Sequence, residues 1–165
     1  MPSGISKKVR MRIEEVAHLL HIHGCITTRA VMELGFSHTQ ATVALKHLVA
    51  TGRAVRLKIG GIALWCCSMK SALRHVDELR RALHALICSA RVKYVSPSDA
   101  LELIARSEEA SRLFSRYINL RPRDATSLKF LNGLLASMYG EAVFRIRRGT
   151  MPLYFADCRS KSSHR

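Results

Sequence analysis

The sequence predicts a mainly helical α+β fold with small β-hairpins, arranged as two units that share one order of elements. Apolar residues recur with the helical period in several separate runs, which indicates amphipathic helices. In each half, the last of these runs ends at a glycine, and the apolar period then changes to two. That change is typical of a strand with one exposed face. We therefore expect helices followed by a hairpin in both halves of the chain.

The first unit opens with two helical segments, at 6–23 and 28–34. Thr27 can cap the segment at 28–34, because its hydroxyl can accept a hydrogen bond from an unpaired amide of the first turn. Gly35 should end this helix, since glycine tolerates the left-handed backbone that follows a last helical turn.

The next helix should start at His38, because Ser37 and Gln40 have the spacing of a capping box. Its buried stripe follows the helical period and consists of Ala41, Ala44, Leu45 and Leu48. The residues left on the outward face are His38, Thr39, Gln40, Thr42, Val43 and Lys46. The short link between the two helices predicts that they cross steeply.

A β-hairpin follows this helix. Its first strand, at 55–59, alternates apolar residues with the basic Arg56 and Lys58. A Gly-Gly pair then supplies the positive φ that a two-residue turn needs, and the second strand returns at 62–67.

Leu45, Leu48 and Gly52 match the L-x-x-L-x-x-x-G signature of the winged helix-turn-helix superfamily of bacterial and archaeal regulators, which residues 6–67 resemble. The resemblance implies that the helix before the glycine enters the major groove of DNA. It also implies that the hairpin, the wing, contacts the adjacent backbone or minor groove. The superfamily includes protein-binding and RNA-binding members, so the match predicts a fold more specifically than a function.

The second half partly repeats this order after a long amphipathic helix at 69–91, which is either a linker or a dimer surface. The predicted elements are a strand at 93–95, helices capped by Ser96 and Ser107, a helix that ends at Gly140, and strands around Phe144 and Phe155. We interpret this half as a second, divergent winged helix. The alternative is an α+β extension that only supports dimerisation.

The predicted domain bounds are 1–68 for the first winged helix, 69–91 for the linking or dimerisation helix and 92–158 for the second unit. Residues 159–165 are polar and basic without periodicity, which predicts a disordered tail.

The chain is strongly basic, with 27 Lys and Arg residues against 12 acidic residues and a formal net charge of +15. Positive charge attracts phosphate, so this balance favours nucleic-acid binding over a merely soluble basic surface. No apolar run approaches the length of a membrane span, and no apolar segment follows the basic N-terminus. The expected location is therefore the cytoplasm, in association with the nucleoid.

The five cysteines lack the spacing of a zinc site, so we expect no metal and no cofactor. Cys66 and Cys67 are neighbours on a strand, which predicts one buried and one exposed thiol. The chain has only two Asn and one Gln, a depletion expected in a thermophilic, archaeal protein. In such a source an intracellular disulfide between two of the cysteines is compatible with the sequence.

The candidates for base readout are Thr39, Gln40 and Thr42, since glutamine can pair with adenine and a threonine methyl can pack on thymine. An ordinary solvated helix face is the alternative. The candidates for the rest of the DNA interface are His38, Val43, Lys46, Arg56 and Lys58 in the first unit, and Lys129, Arg145, Arg147 and Arg148 in the second. Phosphate contacts also suit Lys7, Lys8 and Arg10.

Other chemistry finds little support. His18 and His21 have the spacing of a metal pair but no visible third ligand. Trp65 lies among apolar neighbours and is expected in the core. The neighbouring acids at 14–15 and 108–109 diverge around their helices, and no nucleophile motif or phosphate loop is present. We therefore expect that the protein is not an enzyme.

The function predicted is therefore a double-stranded DNA-binding protein, either a transcriptional regulator or a nucleoid or chromatin-type factor, acting as a homodimer through the middle helix. The alternative is a tandem winged-helix adaptor that binds a protein partner, which the outward Val43 and the apolar middle helix favour. RNA binding is the third interpretation, and no interleaved aromatic platform supports it.

Overall fold

The computed structural model describes residues 6–145 and 151–159. The described chain divides into two compact units. The first consists of residues up to 58 together with 63–75, and the second of residues 59–62 together with the chain from 76 onward. The predicted bounds at 68 and 91 stay a prediction.

The fold is mainly helical with small antiparallel sheets, so the predicted α+β class is confirmed. The elements up to the middle of the chain are α1 (Lys7–His23), β1 (Cys25–Thr27), α2 (Thr28–Met32), α3 (His38–Ala50), β2 (Val55–Ile59), β3 (Ile62–Cys66) and α4 (Met69–Ser89). The others are β4 (Tyr94–Val95), α5 (Pro97–Arg106), α6 (Glu108–Phe114), α7 (Ala125–Tyr139), β5 (Phe144–Arg145) and β6 (Pro152–Phe155). In the described residues, no helix combines the length and apolar character that crossing a membrane requires.

Two helices of the first unit, α2 and α3, start at the predicted caps, whereas the cap of α1 was not predicted. Ser6 caps α1, and the Thr27 side chain accepts a hydrogen bond from the Ala30 amide at the start of α2. Ser37 and Gln40 form the complete capping box of α3. These local hydrogen bonds satisfy amides that the first turn of a helix leaves unpaired, so short sequence signals were enough to place the starts of α2 and α3.

The sheet of the first unit contains a strand that the sequence analysis did not predict. Strand β1 pairs antiparallel with β3, and the sheet order is β1-β3-β2. Cys25 and Cys66 face each other in this pairing and form a disulfide, with 4.0 Å between their Cα atoms. Cys66 is fully buried and Cys67 is exposed, which confirms the prediction that the two neighbours point to opposite faces.

The second unit also starts its helices at local caps. Ser96 and Asp99 form a capping box with Pro97 in the first turn of α5, and Ser107 caps α6, as predicted. Asp124, which was not predicted as a cap, accepts a hydrogen bond from the Ser127 amide at the start of α7.

The second sheet has the order β4-β6-β5, in which the last strand lies between the other two as it does in the first unit. Both units therefore run helix, strand, helices, strand, strand, with α6 as the additional helix of the second. The tip of the second hairpin, with Arg147 and Arg148, lies outside the described residues, as does the tail from residue 160.

The apolar stripe of α4 is buried within the chain. Its buried residues are Ala72, Val76, Leu79, Leu83 and Ile87. Leu73 on the same helix is 55% accessible, so part of its apolar side stays exposed. The dimer through the middle helix stays a prediction. Cys88, near the end of α4, forms a second disulfide with Cys158.

The turn between β2 and β3 packs inside the second unit. Gly60 has φ of +57°, and a Cβ built on it would lie 2.3 Å from the Lys129 carbonyl oxygen. A Cβ on Gly133 would lie 2.7 Å from the Gly60 amide nitrogen. Both contacts are closer than real Cβ atoms allow, so the backbone approach between this turn and α7 requires glycine on each side.

Candidate nucleic-acid interface

Helix α3 presents an open outward face. Its opposite side buries Ala41, Ala44, Leu45 and Leu48 in the core of the first unit. This burial fixes the rotation of the helix and leaves His38, Thr39, Val43 and Lys46 exposed, with 52% of Val43 accessible. The predicted outward residues of α3 are thus on one surface.

Two of the candidates for base readout, Gln40 and Thr42, already form hydrogen bonds with the backbone of their own helix start. Gln40 Oε1 accepts a hydrogen bond of 2.9 Å from the Ser37 amide as part of the capping box. Thr42 Oγ1 donates to the His38 carbonyl at 2.8 Å. Both side chains are half-buried. What remains for a ligand is the Nε2 group of Gln40 and the methyl group of Thr42.

Strand β2 places Arg56 and Lys58 on its exposed face, as its alternation predicts. The Arg56 guanidinium lies over the Trp65 ring, with its carbon 5.4 Å from the ring centroid. Trp65 is itself buried, and its Nε1 donates to Thr28 Oγ1 at 3.1 Å, which confirms it as a core residue. The stacking holds Arg56 in place while its N–H groups remain able to donate to phosphate.

Arg53 is committed to an ion pair within the first unit. Its two terminal nitrogens donate to the carboxylate oxygens of Glu14 at 2.7 and 3.0 Å. These hydrogen bonds hold the pKa of Glu14 below its ordinary value. Arg53 therefore anchors the loop after α3 to α1, and we do not include it in the DNA interface.

The second unit carries a basic group that the sequence analysis missed. Arg121 and Arg123 are exposed in the turn before α7, and Arg123 has φ of +64°. The overlooked signal was a pair of arginines around a proline just before a helix cap. Thr126 and Lys129 follow on the exposed side of α7.

The remaining predicted residues of the second unit are placed only in part. A Cβ on Gly61 would lie 3.0 Å from Cδ of Lys129, so the stem of this lysine runs beside the turn at 59–62. Arg145 lies on β5, and the loop with Arg147 and Arg148 is outside the described residues.

Within 6–145 and 151–159, no group of three or more His, Cys, Asp and Glu side chains is arranged to hold a metal ion. Glu108 pairs with Arg112 four residues along the same helix, as surface acids on helices commonly do.

Two comparisons place the chain among known proteins. Residues 73–151 match the family model described as PSV, transcriptional regulator domain. The crystal structure of the hypothetical protein PyrSV_gp04 from Pyrobaculum spherical virus is similar to the whole fold, with a TM-score of 0.83 and 32% sequence identity. The match covers 92% of this chain and 97% of the viral chain. The chain belongs to the family of this viral protein.

The family relationship extends over both units, whereas the match to the regulator-domain model begins within α4 and covers most of the second unit. The residues that resemble the winged helix-turn-helix signature, Leu45, Leu48 and Gly52, lie in the other unit. A search of curated proteins found no match.

Proposed function

We propose that the chain is a transcription regulator that binds double-stranded DNA, and that both of its units are winged helices. The observation that carries the proposal is the shared element order, with the last strand central in each sheet and an exposed face on α3. The description of the family matched at 73–151 supports a regulatory role. The net charge of +15 supports an anionic partner.

In this proposal α3 enters the major groove. Thr39, the Nε2 group of Gln40 and the methyl group of Thr42 contact bases, while Lys46, Arg56 and Lys58 contact phosphates. The contribution of Lys129, Arg145, Arg147 and Arg148 in the second unit is a further part of the proposal. The homodimer, the cytoplasmic and nucleoid-associated location, and the thermophilic archaeal source stay predictions.

A salt titration on a random-sequence duplex tests the proposal. Fluorescence anisotropy should give a logarithm of affinity that falls linearly with the logarithm of salt, by about 0.9 per phosphate contact. Lys46→Ala should lower the slope by about one unit. Arg106→Ala is the matched control, because Arg106 is an exposed arginine on α5 paired with Glu102. No complex at micromolar protein in low salt would refute DNA binding.

Base readout by Gln40 needs a control for its capping role. Gln40→Ala removes an acceptor from the capping box and a potential base contact, whereas Ser37→Ala removes only the other half of the box. On a duplex selected from a random pool, Gln40→Ala should cost about 1 to 3 kcal/mol more than Ser37→Ala. Equal losses from both variants would show that Gln40 acts only as a cap.

An adaptor that binds a protein partner is the second candidate function, and the exposure of Val43 favours it. Val43→Lys separates the two, because a positive charge at the centre of the α3 face should raise affinity for duplex DNA. For an adaptor, the same change should abolish capture of a partner from nuclease-treated extract.

A further inference from the structure

Helix α1 carries an exposed stripe opposite its buried face. The stripe consists of Met11, Glu15, His18 and Ile22, all of them exposed. Met11 is 61% and Ile22 60% accessible, which places two large apolar side chains in water at its ends. The buried residues Ile13, Val16 and Leu20 lie on the other side of the helix. The stripe is therefore an unpartnered surface of the first unit rather than an extension of its core.

The spacing of the stripe is that of a helix–helix seam. The steps from Met11 to Glu15, to His18 and to Ile22 are four, three and four residues, the alternation found at the a and d positions of coiled coils. An open groove of about 980 Å³ runs along it, and Leu34 contributes to the lining. A second helix fits such a groove with its own seam residues.

The residue types along the stripe are arranged symmetrically about its centre. Residues 11 and 22, like residues 15 and 18, are equally distant from the midpoint between residues 16 and 17. An antiparallel copy of α1 related by a twofold axis there places Met11 against the partner copy of Ile22. It also places Glu15 against the partner copy of His18, so each apolar residue meets an apolar residue and each acid meets a base.

Charge is balanced along the groove, because its lining contains Lys7 and Arg10 as well as Glu14 and Glu15. The chain has 12 acidic residues against 27 Lys and Arg, so two copies repel each other over most orientations. Glu14 and Glu15 bring two of these acids to one turn of α1, next to the seam. Because Glu14 is paired with Arg53, Glu15 is the acid that remains to meet a second copy.

We propose that the Met11–Ile22 face of α1 is a homodimer interface, in which two copies of α1 pair antiparallel with Glu15 opposite His18. The proposal goes beyond DNA binding and does not depend on it. It places the dimer surface on α1 instead of the middle helix, most of whose apolar stripe is buried.

Sedimentation equilibrium without DNA tests the interface. The unmodified protein should dimerise, and His18→Glu should weaken the dimer at least about tenfold, because four carboxylates would then meet at the seam. The double variant Glu15→His and His18→Glu exchanges the partners and should restore the dimer. All of these positions are exposed, so circular dichroism should report an unchanged fold.

Crosslinking tests the antiparallel register in a Cys67→Ser background, which removes the free thiol. Met11→Cys with Ile22→Cys in one chain should give a disulfide-linked dimer on oxidation, whereas either change alone should not. A monomeric unmodified protein at 100 micromolar would overturn the proposal. So would a dimer that is insensitive to His18→Glu, a failed charge exchange, or crosslinking by a single cysteine, which parallel pairing would produce.

Discussion

The two units share an order of elements, but they differ in how much of the outward face of their last helix is exposed. In the first unit, α3 exposes Thr39 and Lys46 on a face that no described element of its unit covers. In the second unit, α7 approaches the turn at 59–62 so closely that Gly60 and Gly133 cannot carry a Cβ. The same topology therefore leaves the outward face of α3 exposed, whereas part of the α7 surface packs against the turn at 59–62. Element order predicts the topology, and the packing decides which surface can bind a ligand.

The two disulfides differ in how deeply they are buried. Cys25 and Cys66 join neighbouring strands of one sheet and are both buried. Cys88 and Cys158 join the end of α4 to the chain after β6, and both are only half-buried. The first bond is part of a core, whereas the second links α4 to the segment after β6 near the surface.

The largest expected effect is the loss of a disulfide. Replacing both cysteines of either pair by alanine should lower the free energy of unfolding by about 2 to 5 kcal/mol, because each bond restricts the unfolded chain. Under native conditions, reductant should open Cys88–Cys158 first, because its sulfurs are more accessible. Alkylation followed by peptide mass analysis measures the order. Earlier modification of Cys25 and Cys66 would contradict the comparison of the two units.

A change at the 59–62 turn should have the next largest effect. Gly60→Ala should lower the free energy of unfolding by about 2 to 4 kcal/mol, since its Cβ would overlap the Lys129 carbonyl and force the backbone apart. Chemical denaturation followed by circular dichroism measures the change.

Gly52→Ala is the matched control for Gly60→Ala. Gly52 also has a positive φ, of +75°, but a Cβ there would meet nothing within 4 Å. It should cost only the backbone strain of a non-glycine residue, about 1 kcal/mol. Equal losses from the two variants would mean that the turn does not pack tightly in the second unit.

Local signals account for what the sequence could predict. The caps at Ser37, Ser96 and Ser107 each involve hydrogen bonds between residues three apart, so a short window of sequence contains the whole interaction. Strand β1 was missed because it has three residues and exists through pairing with β3, far along the chain. Short strands of this kind depend on tertiary contacts rather than on their own propensity.

The candidate site was predictable to the same degree. The helical period placed the exposed residues of α3 on one face, because burial of Leu45 and Leu48 fixes its rotation. The second hydrogen-bonding role of Thr42 was not predicted, because it depends on the rotamer. The close approach at Gly60 depends on distant segments, and a glycine pair in a hairpin turn gives no sign of it.

Substitutions of Lys46 on α3 and Lys129 on α7 compare the contributions of the two helix faces to DNA binding. Lys46→Ala should weaken binding to random duplex about tenfold or less and lower the salt slope by about one unit. Lys129→Ala should have a smaller effect, since the Lys129 stem lies beside the turn at 59–62. Fluorescence anisotropy across a salt series measures both. A slope change from Lys129→Ala or Arg147→Ala equal to that of Lys46→Ala would show that the second unit binds DNA as the first does.

The smallest expected effect concerns Tyr139 in the second unit. Burial raises the pKa of Tyr139 from 10.0 to about 12, and its hydroxyl lies 2.7 Å from His84 Nδ1. The folded state therefore keeps the phenol neutral at a pH where the unfolded chain loses the proton. This contribution to stability is complete below pH 10 and is lost as the pH rises towards 12.

Tyr139→Phe should therefore reduce the loss of stability between pH 10 and 12 by about 1 kcal/mol, after allowance for the partial exposure of the ring. A Cys67→Ser background prevents thiol exchange at high pH. Because the only tryptophan, Trp65, lies in the first unit, its fluorescence reports that unit while circular dichroism reports both. The pH effect should appear first in the dichroism signal. Identical pH profiles for the variant and its parent would show that Tyr139 does not ionise in this range, whereas simultaneous transitions would show that the two units unfold together.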